Sequence, residues 1–403
     1  MLSFRNLHIK ELRYKIGLSL SIIGVTIGML LNYFLPVVTW SPIIMFLSVL
    51  LLLNGKILRL KPKLNRFFTA IIFFQLFMII CSILSDYSEP VFYTYLFYHL
   101  YIIALAVVMI KNVELRTVNF LSTLFWLSSF VTIIAAVIAY FDLARLDIQM
   151  RRGEAVLELF TLNIASYANL IAGLCLIRGK TALYKLAIFI FMLIDFYVIV
   201  RSGKRSFFAA VFMSIFVYLY KYHCVIKGLL AGLAFVTFTF VAIPQVRMVT
   251  MEMVTRSVEG FRTVFASKSK AYDYDEYDSA TIRKYNKQVV YDDLENNFGL
   301  LNVFVGMGYY YAYIDNPLLE SYLDMGVIGF FYYVYLIIVI PFLFFKKIRG
   351  DDELSMFILL NTILNLTVIV TNYNPYQYFV YTPICLVAMR YYELPRKSWQ
   401  LTI

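Results

Sequence analysis

The sequence predicts an all-α fold, a polytopic bundle of transmembrane helices. Hydrophobic residues make up 61% of the chain and charged residues only 15%, against roughly 25% charged residues in an ordinary soluble domain. Apolar runs long enough to cross ~30 Å of hydrocarbon as helices recur along the whole length. A soluble fold cannot bury so many helices that are apolar on every side. We therefore interpret residues 1–403 as a single integral membrane domain.

Short connectors, most of them basic, separate the apolar runs. No small-residue cleavage pattern follows the first run, so we interpret that run as a retained span rather than a signal peptide. The candidate spans, about twelve in number, cover residues 16–35, 37–54, 67–85, 91–110, 117–141, 157–177, 183–200, 206–220, 227–246, 317–345, 354–371 and 373–389.

The positions of the basic residues predict the orientation of the bundle. With a cytoplasmic amino terminus, the connectors on the cytoplasmic side hold more than half of the 36 lysines and arginines, and the short outward connectors hold few. Short connectors rich in Lys and Arg stay in the cytoplasm, so we predict that both termini are cytoplasmic. The net charge of +11 then belongs to the membrane surface, and we expect no nucleic-acid partner.

Nothing in the sequence points to a metal or a cofactor. The four cysteines lie in or beside apolar runs without paired spacing, and the three histidines are scattered. The chain also lacks a glycine-rich nucleotide loop. We therefore expect no metal site and no cofactor.

Residues 247–316 interrupt the row of apolar runs with a long polar and aromatic segment. Connections in compact domains are usually ~2–8 residues long, so this segment is too long to be a simple turn. The predicted orientation places it on the outer side, between spans nine and ten. We interpret it as an extracytoplasmic (periplasmic) substrate loop.

Polar side chains within the earlier spans have two interpretations. Gln75 and His99 either form interhelical hydrogen bonds or face a cavity. Span six carries Asn163, Ser166 and Asn169 at helical spacing, a stripe that is typical of a helix lining a cavity.

Basic residues on the outer side are candidates for binding an anionic substrate. Arg151 and Arg152 precede span six, where they either balance Asp147 and Glu154 in a solvated turn or contribute to a surface for such a substrate.

The junction of spans seven and eight concentrates positive charge. If span eight starts near this point, Arg201, Lys204 and Arg205 lie at i, i+3 and i+4 and share one helix face. One interpretation is that these side chains anchor the helix at the membrane surface, with Asp195 as their counter-ion. We prefer a phosphate clamp, because guanidinium groups match phosphate oxygens bidentately and stay charged at any relevant pH.

A second group of candidate residues lies in the long loop. A helix predicted over residues 280–295 carries Arg283 and Lys287 on one face, with Tyr285 alongside. The uncharged connector 371–377 contains amides and two tyrosines, as a rim that contacts sugars does.

Span ten begins with a clear helix-start signal. Asn316 is a good N-cap residue and Pro317 a good first helical residue. Glu320 and Asp324 follow on one face near the outer end of the span. A carboxylate as deep as Asp324 is a functional candidate, because ionisable groups inside a membrane are rare and costly.

The order and sidedness of these features resemble the superfamily of O-antigen polymerases and O-antigen ligases. The motifs cover about residues 200–330, and the rest of the chain is similar only in its pattern of spans. The matching features are Gly203-Lys-Arg205-Ser, Arg283 with Tyr285, Gly306-Met-Gly308, and Asp315-Asn316-Pro-Leu-Leu-Glu320 running to Gly326-Val-Ile-Gly329.

The resemblance implies a membrane glycosyltransferase of the GT-C type that acts at the outer face of the cytoplasmic (inner) membrane without a metal. Its donor would be a glycan on undecaprenyl pyrophosphate, and Arg205 and Arg283 would grip the pyrophosphate. Membrane lipids and a chain-length regulator protein would be further partners. Ligases typically have histidine where this chain has Asp315, so the aspartate favours polymerisation of repeat units over transfer to a lipid A–core acceptor.

The residue types fit this chemistry. Fixed arginines neutralise the leaving pyrophosphate, and a carboxylate takes the proton of the acceptor hydroxyl; Asp315, Glu320 and Asp324 are the candidates. The residues predicted to bind substrate are Arg151, Arg152, Arg201, Lys204, Tyr285, Lys287, Asn316, Glu320 and Asp324, beside the three predicted catalytic residues Arg205, Arg283 and Asp315.

Two other classes of protein remain as alternatives. A flippase for lipid-linked oligosaccharides fits the number of spans, but many transporters have two similar halves, and the halves of this chain are not similar. A structural scaffold would leave the outer arginines without a role.

Overall fold

The computed structural model describes residues 2–35, 39–53, 65–84, 90–112, 115, 118–149, 159–178, 180–202, 205–222, 237, 288, 291–292, 294, 298–309, 311, 316–348, 352–368 and 375–394. Within these residues the regular structure is helical throughout, with no strand. The predicted all-α class is confirmed.

The described residues form a series of helices along the chain. Their bounds are α1 Leu2–Phe34, α2 Trp40–Leu53, α3 Arg66–Leu84, α4 Pro90–Asn112, α5 Leu121–Gln149, α6 Leu159–Leu176, α7 Ala182–Arg201, α8 Arg205–Lys221, α9 Leu300–Val305, α10 Pro317–Val334, a π-helical turn Tyr335–Val339, α11 Ile340–Lys347, α12 Glu353–Val368 and α13 Tyr378–Glu393.

Five stretches of helix in the described residues are long and apolar enough to cross a membrane. They are Ile9–Phe34, Arg66–Ile83, Leu121–Ile138, Ala182–Val200 and Pro317–Lys347. Shorter apolar helices occupy Trp40–Leu53, Tyr95–Ile110, Leu162–Leu176, Ser206–Lys221 and Glu353–Val368.

Every predicted span except the ninth overlaps a described helix. The ninth, 227–246, lies outside the described residues apart from Thr237, so the total of about twelve spans stays a prediction. The amino-terminal helix is longer than predicted, because α1 begins at Leu2 rather than near residue 16.

Apolar side chains cover the outside of the bundle as well as its interior. Phe130 is 66% exposed and Phe73 52% exposed, whereas Phe74, one residue further along α3, is fully buried. A small residue allows α1 and α2 to pack closely. A Cβ on Gly28 of α1 would overlap the backbone of Ser41 in α2. An apolar surface on both sides of the helices indicates a membrane-embedded protein.

Basic residues from separate connectors meet at one end of the bundle. The Nζ of Lys221, at the end of α8, donates a hydrogen bond of 3.0 Å to the carbonyl oxygen of Phe345 in α11. Lys347, at the end of α11, donates to the carbonyl oxygen of Tyr391 in α13. We call this end of the bundle the basic end.

An ionic network at the basic end joins two further connectors. Arg390 forms ion pairs with Asp352 at 2.8 Å and with Glu393 at 3.0 Å, and Glu393 accepts a hydrogen bond of 2.6 Å from the backbone N–H of Leu115. The predicted orientation requires these connectors to share one side of the membrane, and their contacts agree with it. Which side the basic end faces stays a prediction.

Candidate functional site

The amino-terminal end of α10 is built as the sequence predicts. The side-chain oxygen of Asn316 accepts a hydrogen bond of 3.2 Å from the backbone N–H of Leu319, and Pro317 occupies the first turn. The carboxylate of Glu320 reaches back to the backbone N–H of Asn316 at 3.4 Å. Glu320 is fully buried, so the start of α10 fixes a carboxylate inside the bundle, at the positive end of the helix dipole.

The helix then breaks at Gly326, whose φ of 65° and ψ of −165° are not helical. The carbonyl oxygens of Leu323 and Asp324 turn to the connection after α9 and accept hydrogen bonds from the backbone N–H groups of Met307 at 2.7 Å and Gly308 at 3.2 Å. Inside a membrane, carbonyl groups released from a helix need such replacement donors.

Two glycines make this contact possible. Gly306 and Gly326 both have positive φ, 79° and 65°, with extended ψ, a region of backbone conformation that is essentially restricted to glycine. A Cβ on Gly306 would overlap the backbone of Asp324, and a Cβ on Gly326 would overlap the backbone of Phe304. The Gly306-Met-Gly308 turn therefore locks the break in α10.

Asp324 lies at this break and faces the start of α13. Its side chain is 1% exposed, and its Oδ2 accepts a hydrogen bond from the hydroxyl of Tyr376. Tyr376 belongs to the connector that the sequence predicts to be a sugar-contacting rim, of which Pro375, Tyr376 and Gln377 are described. A carboxylate of span ten thus meets a tyrosine at the entry to the last helix.

A second set of hydrogen bonds adjoins this pair. The ring of Tyr376 packs against the ring of Tyr309 with centroids 4.1 Å apart. The hydroxyl of Tyr309 lies 2.7 Å from Nε2 of His99, and Nδ1 of His99 lies 2.7 Å from Oε1 of Gln75. We call Gln75, His99, Tyr309, Tyr376 and Asp324 the acidic–aromatic cluster.

The acidic–aromatic cluster brings a carboxylate, two tyrosine hydroxyls and an imidazole together in one buried place. Asp324 is a proton acceptor when ionised, and the Tyr376 hydroxyl orients it. In a neutral imidazole, Nδ1 of His99 donates to the Gln75 oxygen and Nε2 accepts from the Tyr309 hydroxyl. The interhelical hydrogen bond predicted as one alternative for Gln75 and His99 is therefore present, and it links α3 to α4.

The polar stripe of α6 lies against α5 and α7. Nδ2 of Asn169 donates to Oδ2 of Asp195 in α7 at 2.9 Å, and Ser128 and Ser129 of α5 donate to Oδ1 of Asn169 at 2.9 and 3.2 Å. The stripe thus makes interhelical hydrogen bonds in the part of the chain that the structure describes.

The shared face of Arg201, Lys204 and Arg205 was predicted on the condition that span eight starts near Arg201, and that condition is not met. Arg201 is the last residue of α7, Ser202 forms its C-cap, and α8 begins at Arg205. The backbone still places Arg201 and Arg205 at one turn between two helices, and their side chains lie outside the described part of the structure.

Most of the other predicted site residues are also outside the described residues. These are Arg151, Arg152, Arg283, Tyr285, Lys287 and Asp315. The described residues Gln288, Tyr291, Asp292 and Leu294 are helical, within the range predicted for the loop helix. The phosphate clamp therefore stays a prediction, whereas Asn316, Glu320 and Asp324 are placed together on α10.

Sequence reasoning assigned no role to Tyr309, and it placed Tyr376 only within the predicted sugar-contacting rim, without its contact to Asp324. Their signals were weak, since each lies in a stretch with other tyrosines and no periodic pattern singles it out. Among the described residues, no group of three or more His, Cys, Asp or Glu side chains is arranged to hold a metal ion.

No family model, curated protein or solved structure matches the chain at a significant level. The apolar helices define the class of protein: over the residues that the structure describes it is all-helical, with five helices long and apolar enough to cross a membrane.

Proposed function

We propose that this protein is a membrane glycosyltransferase that polymerises oligosaccharide repeat units carried on undecaprenyl pyrophosphate. In this proposal it works at the outer face of the cytoplasmic membrane and uses one lipid-linked glycan as donor and another as acceptor. The product is O-antigen or a related surface polysaccharide. Membrane lipids surround the enzyme, and a chain-length regulator is a candidate partner.

One observation carries the proposal: α10 holds two buried carboxylates, Glu320 and Asp324, directly after the Asp315-Asn316 pair. Burying an ionisable group in a membrane protein costs free energy, so such groups mark functional sites by default. The break at Gly326 and the hydroxyl of Tyr376 fix Asp324 in place. A preorganised carboxylate of this kind fits a reaction that removes a proton from a hydroxyl group.

The proposed reaction assigns a role to each group. The hydroxyl oxygen of the acceptor sugar attacks the anomeric carbon of the donor, and the bond from that carbon to the pyrophosphate breaks. The hydroxyl proton passes to a carboxylate, Asp315 or Asp324. Arg205 and Arg283 neutralise the negative charge that collects on the leaving pyrophosphate. We expect this to contribute more to the rate than the proton transfer does, because one preorganised donor is worth a factor of roughly 10²–10³ in rate.

Aromatic rings near Asp324 support a sugar substrate. Tyr95 lies with its ring centroid 5.7 Å from that of Tyr376 and 6.4 Å from that of Tyr309. Tyr98, which follows Tyr95 by three residues in α4, packs against Tyr378 with ring centroids 5.1 Å apart. Binding sites for small molecules combine such aromatic walls with a few oriented polar groups.

The direct test is elongation by the purified protein. The wild-type protein in detergent is incubated with an undecaprenyl-pyrophosphate-linked oligosaccharide, and products are separated by size. We expect a ladder in steps of one repeat unit, and we expect Asp324→Asn and Asp315→Asn to slow elongation, the true proton acceptor by about 100-fold or more. Glu11→Gln is the matched control, because Glu11 lies on the exposed side of α1 in an ion pair with Lys15.

The other outcomes identify the alternatives. A single transfer to a lipid A–core acceptor, without a ladder, would show an O-antigen ligase. Unchanged substrate in every assay, with wild-type protein of normal stability, would reject glycosyl transfer altogether.

A flippase for lipid-linked oligosaccharides is the second candidate, and the break in α10 favours it. Transporters commonly use discontinuous helices at their binding sites, and α10 breaks at Gly326, two residues after the buried Asp324. Reconstitution into vesicles distinguishes the two functions: a flippase moves the intact lipid-linked glycan between leaflets, and a polymerase changes its length.

A further inference from the structure

We infer that a buried polar cluster between α5, α6 and α7 is a binding site for a monovalent cation, with Na⁺ as the ion it fits. We call it the Asp195 cluster, and it consists of Asp195, Asn169, Ser128, Ser129 and Thr132. It is separate from the acidic–aromatic cluster and has no part in the proposed glycosyl transfer.

The depth of Asp195 is the first argument. Its side chain is fully buried, and it lies within Ala182–Val200, a stretch able to cross a membrane. At 1.5 Å per helical residue it is about 9 Å from the end of α7 at Arg201. A carboxylate at that depth must be neutralised, by a proton, by a basic side chain or by a bound cation.

The hydrogen bonds of Asp195 are the second argument, because they satisfy only one of its two oxygens. Oδ2 accepts from Asn169 at 2.9 Å. Oδ1 is buried and has no hydrogen-bond partner among the described residues. Thr132 lies beside the carboxylate, within range to donate to it, and its hydroxyl oxygen is likewise buried and forms no hydrogen bond of normal geometry in the described part of the chain.

The orientation of Asn169 is the third argument. Ser129 donates to Oδ1 of Asn169 at 3.2 Å, and the Ser128 hydroxyl lies 2.9 Å from the same oxygen, so the amide turns its NH₂ group to Asp195. The single proton of Ser128 is divided between Asn169 and the carbonyl oxygen of Leu124 at 2.6 Å, and neither serine donates to Oδ1 of Asp195. Oδ1 of Asp195 and the Thr132 hydroxyl oxygen therefore lie beside each other between α7 and α5 without a hydrogen bond of normal geometry.

Charge and ligand type select the ion. The cluster offers one carboxylate and hydroxyl oxygens, which together balance a single positive charge, whereas Ca²⁺ is usually held by several carboxylate or carbonyl oxygens. Oxygen ligands without sulfur or imidazole suit a hard cation. Among the described residues, the carboxylates of Glu11, Asp352 and Glu393 form ion pairs, and Asp195 is not one of those that do.

The test uses purified full-length protein in detergent, with Na⁺ replaced by choline at constant ionic strength. Thermal unfolding is one readout. The other is modification by dicyclohexylcarbodiimide, which attacks a protonated buried carboxyl, located on Asp195 by mass spectrometry. We expect Na⁺ to raise the unfolding temperature and to slow modification of Asp195, whereas choline has neither effect.

Two variants check the site itself. Asp195→Asn should abolish the effect of Na⁺ on unfolding, and Thr132→Val, which keeps the shape of the side chain, should raise the Na⁺ concentration for half-maximal effect about tenfold. Glu11→Gln should respond as the wild type does. If Asp195→Asn does not fold, Thr132→Val alone decides.

Three results would overturn the inference. Modification of Asp195 at the same rate in Na⁺ and choline, with equal unfolding temperatures, would mean that the carboxyl simply holds a proton. No modification in either salt and no effect of Na⁺ would mean that a basic side chain neutralises Asp195. A normal Na⁺ response in Thr132→Val would place the ion elsewhere. None of these readouts depends on glycosyl transfer.

Discussion

The hydroxyl of Tyr376 donates a hydrogen bond to the carboxylate of Asp324, and this contact joins the entry of α13 to the break in α10. The two residues are 52 positions apart in the sequence. Around them, the ring of Tyr309 and the hydrogen bonds of His99 complete a buried polar group in an otherwise apolar bundle. Four sets of variants test the site and the fold.

Tyr376→Phe should slow elongation by about tenfold or more, because it removes the donor that orients Asp324 and keeps the ring. The measurement is the rate of ladder formation by purified protein. Tyr333→Phe is the matched control: Tyr333 is also fully buried in the bundle, and its hydroxyl has no hydrogen-bond partner among the described residues. Equal rates for both variants would remove Tyr376 from the site.

Gly326→Ala should destabilise the protein by roughly 1–3 kcal/mol or more, because alanine is strained at this positive φ and its Cβ would overlap the backbone of Phe304. Thermal unfolding in detergent measures the effect, and elongation should fall with it. Gly299→Ala is the control, since its φ is −86° and its Cβ would meet only the Asn302 side chain at 3.5 Å. A stable Gly326→Ala protein would contradict the broken helix.

Arg205→Ala and Arg283→Ala should each abolish chain growth while the protein level is kept. Lysine at either position should recover little activity, because a point charge does not form the bidentate contact of a guanidinium group with phosphate. Arg201 and Lys204 should matter less. Arg178→Ala is the control, since Arg178 lies over the ring of Tyr222, at the basic end. Full activity of Arg283→Ala would exclude that residue from the clamp.

Asp352 at the basic end should make stability depend on pH. Burial alone would raise the pKa of Asp352, but hydrogen bonds from Ser355 and Arg390 outweigh it and hold the pKa below its usual value. A carboxyl with a lowered folded-state pKa stabilises the fold above its unfolded pKa, about 3.9. That stabilisation is lost as the pH falls from there through the folded-state pKa.

Asp352→Asn should therefore cost about 1–3 kcal/mol at neutral pH, because it weakens a charged hydrogen bond to Arg390, and the difference from wild type should shrink in acid. Unfolding temperatures measured at several pH values check both points. Glu11→Gln should show no comparable loss, since its ion pair with Lys15 is partly exposed and lies within a single helix. A loss for Asp352→Asn that stays constant down to the most acidic pH would contradict the assignment.

The helices themselves were predictable because their cause is local. A backbone in hydrocarbon must satisfy its own hydrogen bonds, so an apolar run of sufficient length becomes a helix whatever its neighbours are. The same holds for the start of α10, since Asn316 caps the backbone three residues further on. The limit between α7 and α8 also agrees with the predicted spans 183–200 and 206–220, whereas a shared helix face for Arg201, Lys204 and Arg205 required span eight to start earlier than it does.

The composition, the apolar runs and the local cap were sufficient, from the sequence alone, to determine a helical membrane protein in which one helix begins at Pro317. Only the tertiary structure decided that Asp324 meets Tyr376, that His99 meets Gln75, and that Asp195 shares a cluster with Asn169. The physical reason is that lateral packing of helices, not periodicity along one helix, selects such partners. The break at Gly326 has the same origin, because it exists only where Met307 and Gly308 supply the donors that the released carbonyls need.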